Sequence, residues 1–97
     1  MANNRVIVWD KIAFEHFKEM YHSLESNYAK KVKNTILKEI NELINNPEIY
    51  EQDRFKIDNA GSYRAFDKLK YRIAYRITET QIRILRLRHT SREPIEY

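Results

Sequence analysis

Cysteine is absent from the 97-residue sequence, glycine occurs once and proline twice. Without cysteine there is no disulfide framework and no thiolate metal site, and a reducing compartment is allowed. A single glycine cannot build a glycine-rich phosphate loop. No apolar run approaches membrane-spanning length, and the start of the chain is short and mixed, so the cytoplasm is the expected location and no membrane partner is expected. His16 and His22 are six positions apart, so they do not share a helical face as metal ligands at i and i+4 would. No serine stands in a nucleophile motif. Glu15 and Glu19 pair on a helix, but such pairs are ordinarily solvated, and they do not make a glycosidase-like carboxylate pair. Neither a metal nor a cofactor is expected.

Hydrophobic residues make up 42% of the chain and charged residues 33%, a globular rather than a disordered composition. Its length implies one domain, residues 1–97, with a real but modest core. The net charge is +4, and its placement matters more than its size. Residues 1–50 are neutral, with seven basic and seven acidic side chains. Between Ser62 and Arg92 there are nine basic residues and two acids, Asp67 and Glu79, a net of +7. Such asymmetry points to a polyanion or an acidic partner, against the blander reading of a solvated basic surface.

Along the chain, residues 5–9 form a short β-branched run that reads as a strand. Asp10 is placed to cap a helix starting near Lys11. Phe14, Phe17, Met20 (or Tyr21) and Leu24 recur at steps of three and four, one helical face for the core. Ser26 is placed to cap a second helix beginning near Tyr28, with Ala29, Val32, Ile36, Ile40, Leu43 and Ile44 on its buried face. Asn45, Asn46 and Pro47 stop it. Residues 48–59 are polar and irregular, and residues 59–62 hold the only glycine and a turn.

Three strands follow at residues 62–69, 70–78 and 81–89. In the second, Tyr71, Ile73, Tyr75 and Ile77 share one face and Arg72, Ala74, Arg76 and Thr78 the other. In the third, Ile82, Ile84, Leu85 and Leu87 do not keep one phase, and a bulge there would decide which arginine faces out. Connections this short demand antiparallel hairpins. The expected fold is α+β in the order β-α-α-β-β-β, a helical hairpin packed on one face of a small, mainly antiparallel sheet. The opposite face carries the arginines. The tail containing Pro94 is expected to leave the sheet.

The chemistry-bearing set is Arg64, Arg72, Arg76, Arg83, Arg86, Arg88, His89 and Arg92, interleaved with Tyr63, Tyr71, Tyr75 and Tyr97. Arginine suits bidentate contact with phosphate, tyrosine offers a stacking ring and a hydroxyl, and histidine titrates near neutrality. A metal-free ribonuclease needs little more. A base deprotonates the 2′-hydroxyl, arginines stabilise the added negative charge, and an acid protonates the leaving 5′-oxygen. Many basic sheets bind without cutting, so composition alone leaves both readings open.

The Tyr71-Arg72-Ile73-Ala74-Tyr75-Arg76-Ile77 strand, followed by Ile82-Arg83-Ile84-Leu85-Arg86-Leu87-Arg88-His89 and then Arg92-Glu93, resembles the RelE/ParE superfamily of bacterial toxins from type II toxin–antitoxin systems. The resemblance covers nearly the whole chain in element order and basic bias, and its specific part is residues 63–97. It implies a small toxin held inactive by an antitoxin, here expected to be acidic or partly disordered and to wrap the basic sheet and helices. RelE-like members cleave messenger RNA on the ribosome without metal. ParE-like members inhibit DNA gyrase and are not known as nucleases.

By resemblance to the RelE-like pattern, Arg72, His89, Arg92 and Tyr97 are the candidate catalytic residues. Arg64, Lys68, Lys70, Arg86 and Arg88 are the candidate RNA contacts. His89 stands near where the family carries lysine or arginine, and Tyr97 lies one residue beyond the family spacing. The His89-Thr90-Ser91-Arg92-Glu93 ending looks equally ParE-like. The expectation that follows is a ribosome-dependent mRNA endoribonuclease, with ribosome and mRNA as partners. The alternatives are a gyrase inhibitor and a non-toxic relative that only binds an antitoxin-like partner.

Overall fold

The computed structural model describes residues 5–92 and 96–97. The expected Pro94 tail and the acid of the His-x-x-Arg-Glu ending therefore lie outside the described residues. The elements are β1 (Val6–Trp9), α1 (Lys11–Ser23), α2 (Ser26–Glu42), β2 (Tyr63–Lys68), β3 (Tyr71–Ile77) and β4 (Gln81–His89). The four strands lie in the order β1-β4-β3-β2. β1 runs parallel to β4, and the other two pairings are antiparallel. This is the α+β arrangement expected from the sequence. The helical hairpin carries the chain from β1 back so that β4 can pair beside it, since a parallel neighbour needs a crossover.

The helices cover one face of the sheet. Val32, Ile36, Ile40 and Leu43 of the α2 stripe meet Ile73, Tyr75, Ile82 and Ile84 of the sheet in a single buried cluster. The buried Tyr75 hydroxyl donates to the Pro47 carbonyl at 2.7 Å, which satisfies a polar atom that burial would otherwise penalise.

Three local expectations change. On α1 the buried stripe runs through Ala13, Phe17, Met20 and Leu24, while Phe14 is 47% exposed beneath the Lys18 ammonium. Ala13 lies close against the sheet because it is small, which turns Phe14 outward by one helical step. Asp10 occupies the N-cap of α1, but its carboxylate pairs with Arg83 and caps nothing. Glu25, not Ser26, caps α2, accepting from the amides of Asn27 at 3.1 Å and Tyr28 at 3.0 Å. The link between the helices is so short that α2 already begins at Ser26, leaving the longer carboxylate of Glu25 to fold back over the first turn.

The break of phase in β4 is a bulge. Tyr75 pairs with Ile84 and Ala74 with Arg86, so Leu85 is the extra residue. Ile82, Ile84 and Leu87 are thereby buried beneath the helices, and Arg83, Arg86 and Arg88 go to the other face. Residues 50–53 run along the outer edge of β2: the Asp53 amide donates to the Tyr63 carbonyl at 2.8 Å and the Ala65 amide to Glu51 at 3.3 Å. The expected turn before β2 is built by Asn59, whose Oδ1 accepts from the Gly61 amide at 2.8 Å, with Gly61 at a φ of 113° that favours glycine.

Ile36→Ala, at a side chain with no exposure, is expected to cost about 2–5 kcal/mol, a large share of a small domain's stability. Ile49→Ala, at a side chain 57% exposed, is expected to change stability by at most about 0.5 kcal/mol. Urea denaturation midpoints check the pair.

Candidate functional site

Among the described residues, Asp53 is the only buried charged or polar side chain, 2% exposed. An isolated carboxylate there would be strongly disfavoured, and its neighbours explain why it stays ionised. Its Oδ1 accepts from Arg72 Nη2 at 2.9 Å and from the Phe55 amide at 3.0 Å. Its Oδ2 accepts from the Tyr97 hydroxyl at 2.7 Å. Burial pushes the Asp53 pKa up and is the largest single influence. The Tyr97 hydroxyl, the Phe55 amide and the Arg72 guanidinium together outweigh it and hold the carboxyl below its ordinary value.

The same contacts fix the partners. Arg72 also reaches Asp67 at 3.4 Å and lies over the Phe55 ring at 4.9 Å. Burial first, then the Asp53 carboxylate, raises the Tyr97 pKa well above the usual phenol range. The Tyr97 backbone is held as well: its amide donates to the Phe55 carbonyl at 2.9 Å and its carbonyl accepts from the Ile57 amide. Arg86 stacks over the Tyr97 ring at 5.0 Å. A small cavity of about 30 Å³ remains between Asp53, Arg72, Ala74, Arg86, Arg88 and Tyr97.

A second cleft, of about 110 Å³, opens beside the first and is lined by Arg72, Arg88, His89 and Arg92, among others. Tyr97 does not line it. Ser91 donates its amide to His89 Nδ1 at 3.1 Å. The Ser91 hydroxyl lies 2.7 Å from the same nitrogen, so that side of the ring is engaged by Ser91. Arg88 Nε is buried without a hydrogen-bond partner. Arg76, Arg86, Arg88 and Arg92 have no carboxylate partner among the described residues.

The residues picked from sequence thus fall into separate places. Arg72 and Tyr97 meet through Asp53. Arg72, His89 and Arg92 share the neighbouring cleft, and Arg86 and Arg88 line the small cavity. Arg64 and Lys68 are on the helix side of the sheet, in register with Tyr75 and Tyr71. Arg64 is engaged there by the Tyr50 carbonyl at 2.8 Å and Glu48 at 3.4 Å, and Lys68 by Glu39 at 3.3 Å. Lys70 is exposed in the β2–β3 turn, with a φ of 69°. Sequence reasoning missed Asp53 and Phe55, which sit in the irregular segment where no periodicity marks a buried position. No signal within that segment marks either residue. No group of three or more metal-ligating side chains occurs among the described residues. None of the described helices is long and apolar enough to cross a membrane.

Because the folded pKa of Asp53 is depressed, its contribution to stability is present above the unfolded carboxylate pKa of about 4 and is lost as pH falls through the folded value. Asp53→Asn is expected to cost about 1–3 kcal/mol at neutral pH, by stranding Arg72. The difference from wild type should shrink as the pH is lowered below about 4. Denaturant titrations of both proteins across acid pH measure it.

Comparison with known proteins agrees with this architecture. A family profile described as "ParE toxin of type II toxin-antitoxin system, parDE" matches residues 7–94. A search of curated proteins finds no match. Among solved structures, the chromosomal ParDE toxin–antitoxin system from P. aeruginosa is similar, with a TM-score of 0.68 and 14% identity, over 90% of this chain and 97% of that one. The YoeB dimer from Staphylococcus aureus is similar with a TM-score of 0.61 and 20% identity, over 89% of this chain and 97% of that one. At these identities the structural likeness concerns the fold, and the family rests on the profile. A basic sheet face backed by a helical hairpin, with a profile match across nearly its whole length, makes this chain a member of the ParE toxin family of type II toxin–antitoxin systems.

Proposed function

We propose that this toxin acts by binding and not by cutting, as a ParE-like inhibitor of DNA gyrase in the cytoplasm, neutralised by its antitoxin. The observation that carries this reading is the occupation of Arg72 and Tyr97 by Asp53. The Tyr97 proton is already donated to a buried carboxylate, and its raised pKa makes it a poor acid or base near neutral pH. The Arg72 charge is compensated by Asp53 and Asp67. What remains available is a rigid surface of uncompensated arginines, Arg76, Arg86, Arg88 and Arg92, suited to gripping an acidic or phosphate-bearing surface.

The second reading, a ribosome-dependent mRNA endoribonuclease, is favoured by one observation. Arg88, His89 and Arg92 share a cleft with Arg72, a grouping that could hold a scissile phosphate. In that reading Arg72 and Arg92 stabilise the phosphate, while His89 or Tyr97 moves the proton. Arg64, Lys68, Lys70, Arg86 and Arg88 would contact the RNA.

Purified gyrase and mRNA on translating ribosomes, tested in parallel, separate the two. The expected outcome is blocked supercoiling with intact mRNA. Arg88→Glu should weaken that inhibition by about tenfold or more at unchanged melting temperature. Tyr97→Phe should leave it within about twofold, since no proton transfer is involved. Cleaved mRNA with unaffected gyrase would establish the ribonuclease reading. Silence in both assays would leave a non-toxic relative that only binds its antitoxin.

A further inference from the structure

A cavity of about 350 Å³ lies between α1 and the last residues of β4, a volume at the low end of small-molecule sites, about 300–1,000 Å³. The shortness of β1 leaves room for it. β1 pairs with β4 only from Gln81 to Ile84. Beyond Ile84 the described residues place no strand on that edge, and α1 meets it with His16, Glu19, Met20 and Ser23. Met20 and Leu87, 4% and 3% exposed, supply the apolar lining. Arg88 and Arg92 supply the positive charge, and neither has a carboxylate partner among the described residues. Glu19 is the single acid in the lining. Arg72 does not line this cavity, so it is distinct from the cleft described above.

We propose that this cavity binds a small phosphate monoester, with its phosphate on Arg88, Arg92 and His89 and a flat or apolar body against Met20, Leu87 and His16. Two guanidinium groups side by side suit a dianion, and each can meet phosphate oxygens with a planar fork of donors. Arg88 Nε is buried without a hydrogen-bond partner, and so is His16 Nδ1. Buried polar atoms in native proteins ordinarily have partners, and exceptions mark places where a ligand can supply one. His89 has Nδ1 engaged by Ser91 and turns its ring edge-on to Tyr71 at 5.3 Å, which leaves Nε2 as the nitrogen for the ligand. A nucleic acid backbone gains from successive phosphates along an open basic track. Here α1 sets Glu19, Met20 and Ser23 against the two arginines, which gives anionic contact to one phosphate and apolar contact to what it carries.

The location couples the site to the arginine face. Arg88 and Arg92 line both this cavity and the cleft that holds Arg72. A bound monoester therefore engages two of the four arginines proposed to grip the target, and competes with that target for them. This competition rests on the binding reading of function, whereas the site itself does not.

The test is calorimetric titration of the full-length toxin with adenosine 5′-monophosphate, inorganic phosphate and adenosine. The nucleotide is expected to bind about tenfold or more tightly than either of its parts. Arg92→Ala should weaken nucleotide binding about tenfold or more, and His16→Ala about fivefold, at unchanged melting temperature. Arg76→Ala, on the arginine face but outside the cavity lining, should leave it within about twofold. Glu19→Lys, at an exposed position, should tighten it by removing the one repelling carboxylate, and stays informative if His16→Ala fails to fold. No binding of the nucleotide would overturn the proposal. So would equal losses in Arg76→Ala and Arg92→Ala, which mark diffuse charge attraction, or inorganic phosphate or adenosine binding as tightly as the nucleotide. Nucleotide binding by a toxin that leaves gyrase untouched would remove the functional reading and keep the site. Inhibited gyrase with no nucleotide binding would do the reverse.

Discussion

A buried carboxylate organises the arginine-bearing face of the sheet. Asp53 comes from a segment with no regular secondary structure, yet it is more deeply buried than any other charged side chain among the described residues. Three elements that are distant in sequence converge on it: the 53–55 segment itself, β3 through Arg72, and the C-terminal end through Tyr97. Each contact compensates for desolvation of the anion, and the anion in turn holds each of them. Without it the guanidinium of Arg72 would have only the exposed Asp67 as a counter-ion, and the Tyr97 hydroxyl would lose its hydrogen-bond acceptor.

This constraint decides what kind of chemistry the face can perform. The groups that looked best suited to moving protons are the ones most firmly engaged. Tyr97 donates to Asp53, and His89 has one ring nitrogen occupied by the Ser91 amide. The arginines left over are uncompensated and presented on a stiff sheet. A surface of that kind is suited to anionic partners, which is the basis of the proposed binding role. The β4 bulge adds a second character to it. It places Leu85 among cations, which makes one end of the face amphipathic.

Much of the fold was legible because it depends on periodicity. The alternation of Tyr71, Ile73 and Tyr75 with Arg72 and Arg76 defines both faces of β3, and the stripe from Ala29 to Leu43 defines the buried side of α2. The phase break at Leu85 announced a bulge. The caps were less legible, because capping depends on the chain's path at the helix start. Asp10 met Arg83 and left its helix uncapped, while Glu25 reached where Ser26 had been expected to. Ala13 displaced Phe14 from the core because close packing of helix on sheet favoured the smaller side chain at that point.

By itself the sequence determined the element order, the two-sided sheet, the concentration of positive charge after Ser62 and, through the Tyr-Arg strand and the His-x-x-Arg ending, the family. These are local or compositional properties, set by patterns within a few residues of one another. Only the tertiary structure decided which of the basic residues lie together. Arg64 and Lys68 look equivalent to Arg72 along the chain, but strand register sends them to the helix side, where Glu48 and Glu39 engage them. Asp53 acquires its role only when 19 positions bring it to Arg72 and 44 bring it to Tyr97. A buried charge is a long-range fact: its energy depends on partners and on excluded water, and neither is written in its own stretch of sequence.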